Sequence, residues 1–209
     1  MFTRLRYFIR WSALAMCSLI LAVLLVACGG SSTSGTTSSP VSTPTTPPAS
    51  PTAATGAMIA YPGNGFTISY PQTWQISRKA NNLFTFTENT GVIKMTITVA
   101  PDPNGAISAD TVASTALKAA QVLLKNAQKV SVPSTTTVGG DSWSQISASG
   151  TQRLSNQDTN VQVVVLAVVH PANTPLSKSF TILYQAPVST FSQVDTTYFQ
   201  PMLQSFKFA

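Results

Sequence analysis

The chain has 209 residues, 44% of them hydrophobic and 9% charged, with a formal net charge of +6. So few charges on so much apolar material exclude a disordered polyelectrolyte, and 44% is too little for a multi-span membrane protein. Three of the positive charges, Arg4, Arg6 and Arg10, lie in the first ten residues; beyond Ala27 nine Lys/Arg face six Asp/Glu, a net of +3 with no basic stripe for a nucleic acid to follow.

The first ten residues carry three arginines and no acid, and Trp11 to Ala27 is then seventeen residues without a charge. A positive segment before an apolar one is the layout of a secretory signal, and this apolar run is slightly short of the roughly 20 residues that span a bilayer. It ends in Leu25-Val26-Ala27-Cys28, followed by Gly29-Gly30. That ending resembles the lipobox of bacterial lipoproteins. The resemblance implies that residues 1–27 are a signal peptide cut just before Cys28. It also implies that the Cys28 thiol carries diacylglycerol, anchoring the chain to the cell membrane on its extracytoplasmic face. Cys17 reads as a small apolar residue of the leader. No cysteine follows Cys28, so disulfides, zinc thiolates and a catalytic thiol are excluded from the rest of the chain.

Residues 28–57 read as the lipidated cysteine and a tether. Residues 29–57 hold fifteen Ser/Thr, five Pro and four Gly, and their one large apolar side chain is Val41. Such a segment cannot bury enough apolar surface to offset its conformational entropy. As a flexible coil it reaches roughly 30 Å.

From Met58 to Ala209 the composition is that of one folded domain. Phe66-Thr67-Ile68-Ser69-Tyr70 alternates as a half-buried strand, and Trp74-Gln75-Ile76-Ser77 alternates again after Pro71-Gln72-Thr73, so the two read as a hairpin. Leu83 to Thr87 places Phe84 and Phe86 on one face. After an Asn89-Thr90-Gly91 turn, Ile93, Met95, Ile97 and Val99 face one way and Lys94, Thr96 and Thr98 the other. A helix is expected over residues 108–129, capped by Ser108 with Asp110 in its first turn. Val112, Ala116, Ala120, Leu123 and Ala127 form its apolar stripe, widened by Ala113, Leu117 and Leu124.

Val130 to Val138 and Ser142 to Ala148 read as strands joined at Gly139-Gly140. The almost wholly apolar run Val161 to Val169 predicts a central strand covered on both faces, and Phe180 to Tyr184 looks similar. The helix supplies one covering layer. The other should come from Ser189 to Leu203, where Pro201 predicts a short or kinked helix before Ser205-Phe206-Lys207-Phe208 closes the chain as a strand or docked tail.

Two runs in this domain, Gly65 to Pro71 with Trp74 and Phe199 to Phe208, resemble the opening and close of PsbP-like domains. The resemblance implies an α+β fold: a central, mostly antiparallel sheet sandwiched between one long helix and a short C-terminal helix. It does not imply photosynthetic chemistry, because nothing here matches the residues of that role.

Catalytic constellations are scarce. His170 is the single histidine, and a hydrolase built on it would need an orienting carboxylate and a nearby serine. Asp141, Asp158 and Asp195 are candidates only by existing. Asp102-Pro103-Asn104-Gly105 with Asp110 hints at calcium, but the twelfth loop position is Ala113 rather than glutamate. Trp74, Trp143, Tyr61 and Tyr198 read as core aromatics before they read as a sugar- or lipid-binding groove. The expectation is therefore a membrane-anchored, non-catalytic binding or assembly module with no cofactor and no metal, meeting a protein partner at the cell envelope. The alternative is a carrier or sensor of a small apolar ligand held between sheet and helix, and behind it a hydrolase using His170.

Overall fold

The computed structural model describes residues 56–79, 82–154 and 156–209. Among these residues eleven strands form two sheets. In the small one, β1 (Met58–Pro62) and β11 (Lys207–Phe208) flank β2 (Phe66–Pro71). The large one contains β3 (Gln75–Lys79), β4 (Leu83–Thr87), β5 (Lys94–Pro101), β6 (Lys125–Val130), β7 (Thr135–Val138), β8 (Asp141–Leu154), β9 (Gln157–His170) and β10 (Lys178–Pro187). Its order is β3-β4-β5-β10-β9-β8-β6, with β7 also paired to β8, and every pairing is antiparallel. The fold is α+β, with helical layers on opposite faces of the large sheet.

The period-2 pattern of β9 explains that layering. Val164, Leu166 and Val168 point into one cluster, and Val161, Val163, Val165 and Ala167 into another. The first and larger cluster is closed by the small sheet and by the C-terminal helical run: α2 (Phe191–Val194), a π-helical turn over Asp195–Phe199 and α3 (Gln200–Ser205). The run is broken into short pieces, with Pro201 in the first turn of α3. Proline cannot donate back to the preceding turn, and the wider turn precedes it directly. The second cluster lies under α1 (Ala109–Gln121), whose Ala113 and Leu117 sit on Ala148, Val163, Val165 and Ala167.

The two runs that carry the PsbP-like resemblance pack on one another. Phe66 stacks on Phe206 at 5.5 Å and 10°. The Ser69 amide donates to the Ser205 hydroxyl at 2.7 Å, and β11 pairs Lys207 with Thr67.

Two expectations are corrected. Phe66–Tyr70 and Trp74–Ser77 are not a hairpin. β2 takes β1 and β11 as neighbours while β3 pairs with β4, and the Trp74 amide merely closes a turn onto the Pro71 carbonyl at 2.9 Å. β1 carries no strand signal of its own, since Met58-Ile59-Ala60-Tyr61-Pro62 has little alternation. The helix ends at Gln121 rather than 129. The Leu123 and Leu124 amides turn back onto Ala120 and Gln121, and residues 125–130 gain more by pairing with β8 than by another helical turn. Ala127 and Lys129 are consequently strand residues, and Leu123 is 66% exposed. The Ser108 cap stands, accepting from the Thr111 amide at 3.3 Å, as does the Gly139-Gly140 hairpin, with φ of 61° and 90°. Among the described residues no helix is long and apolar enough to cross a membrane.

Candidate functional site

α1 covers only part of the sheet face it packs against. Its thirteen residues rise about 1.5 Å each, so it shields β8, β9 and one side of β10. Beyond it the register lines up Leu83, Thr98 and Thr181 in one row and Thr85, Thr96 and Leu183 in the next. The gap between these rows and the helix is a trough of about 520 Å³, within the roughly 300–1,000 Å³ of small-molecule sites. The helix side of the trough is made of Ala116, Ala119, Ala120, Leu123 and Leu124. Three alanines there leave the space unfilled, where larger side chains would close it onto the sheet.

One end of the trough is polar. The next row of the sheet sets Lys94 between Thr87 on β4 and Gln185 on β10. The buried Gln185 amide donates to the Val92 carbonyl at 3.2 Å and to Gln152 Oε1 at 3.0 Å, so that end is held rigidly. Lys94 is half-buried, and burial pushes its ammonium below the ordinary lysine value. Among the described residues no carboxylate lies within ion-pair distance of it. The trough is thus an apolar channel with one under-solvated cation at its end. The alternation of β5 puts Lys94 on the face with Thr96 and Thr98. That those three lie beside α1, with Leu83 and Leu183 on the same face, follows from a three-strand register that no single stretch encodes.

His170, the last residue of β9, meets one of the two requirements of a hydrolase and not the other. β8 and β9 are one long hairpin, and its register carries Asp141 across from His170: Asp141 Oδ2 is 2.6 Å from Nδ1. The imidazole lies flat on Phe208, centroids 3.7 Å apart and planes 6° apart. The orienting carboxylate of a hydrolytic dyad is therefore present. Among the described residues no serine or threonine hydroxyl hydrogen-bonds His170, so the nucleophile has no counterpart in that geometry.

The remaining candidates have structural surroundings. Trp143 is fully buried and donates Nε1–H to the Val138 carbonyl at 2.9 Å. Trp74 lies against Tyr198 and Phe199, and Tyr61 meets Phe84 and Phe86 edge-on. These aromatics fill the larger core and do not assemble a groove. Asp102 is buried, with Oδ1 accepting from the Ile107 amide and Oδ2 without a hydrogen-bond partner among the described residues, and Asp110 accepts from the Ser144 hydroxyl, so the two carboxylates have separate partners. Asp158 pairs with Lys125 and Arg153 at the surface. Burial pushes the Asp195 carboxyl up, partly countered by the Gln200 amide. Burial, reinforced by Asp195, pushes Tyr184 up. The leader, Cys28 and the tether up to residue 55 lie outside the described residues, and the tether's last residue, Ala57, already accepts from the Gln72 amide at 2.8 Å.

Comparison with known proteins gives only distant structural likeness. The crystal structure of LpqN, involved in cell envelope biogenesis of Mycobacterium tuberculosis, matches with a TM-score of 0.42 at 16% identity, over 72% of this chain and 90% of that one. A crystal structure from Bacteroides thetaiotaomicron VPI-5482 matches with a TM-score of 0.42 at 11% identity; the match takes in 74% of this chain and about half, 49%, of the other. No family model and no curated protein matches the chain.

Proposed function

We propose that the chain is a non-catalytic module, anchored through Cys28 to the extracytoplasmic face of the cell membrane, that holds the apolar chain of a small ligand in the trough between α1 and the large sheet. The observation that carries this reading is the trough itself, an unfilled apolar space of about 520 Å³ walled by alanines. Other surface grooves of this domain reach about 460 and 540 Å³ but have more polar linings; this one is set apart by its apolar walls. The reading places apolar binding between sheet and helix and leaves the His170–Asp141 pair a structural role beside Phe208. We further propose kinship with PsbP-like domains, supported by the contact of the two resembling runs.

A second reading, docking of a protein partner at the envelope, is favoured by a separate feature. Val122 and Leu123, 84% and 66% exposed, form an apolar ledge beside the trough.

The experiment is photolabelling of the full chain in cells with a twelve-carbon alcohol carrying a diazirine, followed by fractionation and peptide mapping. Label is expected on residues 116–124 of membrane-bound chain. Ala120→Trp, which puts an indole into the trough, should cut it at least fivefold, and Cys28→Ala should leave the chain unprocessed or free of the membrane. Labelling that ignores Ala120→Trp would overturn the binding site, and mature-sized Cys28→Ala retained on the membrane would overturn the anchor.

A further inference from the structure

The trough has a direction. Along most of its length it offers Leu83, Leu183, Val163 and the alanines of α1, with threonines between them. At one end it offers Lys94, with Gln185 and Gln152 beside it. We infer that the trough takes a single-chain anionic amphiphile, a fatty-acid-type carboxylate, with its tail along α1 and its head on the Lys94 ammonium. This rests on the reading of the trough as a ligand site and adds to it the chemistry of the head.

Three observations converge on that occupant. An ammonium partly withdrawn from water, with no carboxylate in range among the described residues, is a cost that an incoming anion offsets. Lys94 has neighbours that cannot neutralise it: Thr87 and Gln185 flank it across the sheet, and Gln185 has its amide nitrogen committed to Val92 and Gln152. The charged and amide groups sit at one end of the space, and along the rest the only polar lining is the threonines Thr96, Thr98 and Thr181. This matches a ligand with one charged head and a plain tail, where a sugar or a peptide would need polar partners throughout.

The test uses isolated membranes carrying the full chain and three twelve-carbon diazirine probes: a carboxylate, an alcohol and a quaternary ammonium. The reading is the ratio of carboxylate to alcohol label on residues 116–124, compared between variants in the same membranes so that partitioning cancels. Lys94→Gln should lower the ratio about tenfold, the effect of one charge-assisted hydrogen bond. Lys94→Arg should restore it, and the quaternary ammonium should label the segment least. If Lys94→Gln leaves the ratio unchanged while the alcohol still labels residues 116–124, the anionic head is wrong and the apolar site stands. Stronger labelling by the quaternary ammonium than by the carboxylate overturns the head in the same way. If no probe labels that segment in the unmodified chain, the trough reading fails with it. Should Lys94→Gln not fold, the three-probe order in the unmodified chain decides alone.

Discussion

At the residue scale the informative side chain is Lys94. A lysine whose ammonium is depressed by burial binds protons less readily in the folded than in the unfolded chain. Below the depressed value both states are protonated and the folded chain carries the whole desolvation cost; as pH rises towards the ordinary lysine range the folded chain sheds its proton first and the cost fades. Lys94→Met should therefore raise the thermal midpoint of the ligand-free chain near neutral pH, with the gain shrinking as pH climbs through the depressed value. A gain that is the same at every pH would mean that packing by the methionine, and not the charge, is responsible. The trade is stability for a charged site. His170 shows the opposite arrangement: its partner Asp141 is already in place at 2.6 Å, so its geometry has no unmet demand for a ligand.

At the element scale the closing segment does more than its two-residue strand implies. Phe206 is 1% exposed, stacked on Phe66 and edge-on to Trp143, Phe180 and Phe208. It ties the small sheet to the large one. Phe206→Ala should cost about 3–5 kcal/mol, read as a fall of roughly ten degrees in the thermal midpoint. A fall of under about two degrees would contradict its place in the core.

The same scale separates what was legible from what was not. The Ser108 cap, the Gly139-Gly140 turn, the two-faced Val161–Val169 strand and the short helix with Pro201 in its first turn are local signals, and each appears where its chemistry puts it. The end of α1 is not local. Leu123, Leu124 and Ala127 continue a helical stripe, and only the free edge of β8 makes residues 125–130 a strand. The false hairpin has the same origin: two alternating runs flank a turn, yet β2 pairs with β1 before it and with β11 at the far end of the chain. The trough inherits both difficulties. Its mouth depends on the helix stopping at Gln121, and its floor on the register of β4, β5 and β10.

At the scale of the whole molecule the large sheet is covered unequally. Among the described residues one face carries the small sheet and the helical run from Phe191 to Ser205, and the other carries a single thirteen-residue helix. A central strand that is apolar on both faces demands cover on both, and β9 receives it; β4, β5 and β10 are wider than one helix can reach, and the trough is what remains. The central claim is that this remainder is occupied. Native mass spectrometry of the full chain released from its own membranes addresses it most directly. The account predicts a non-covalent adduct of one single-chain amphiphile per chain, absent from Ala120→Trp prepared in the same way. A chain with no such adduct, or an adduct that Ala120→Trp retains undiminished, would contradict it.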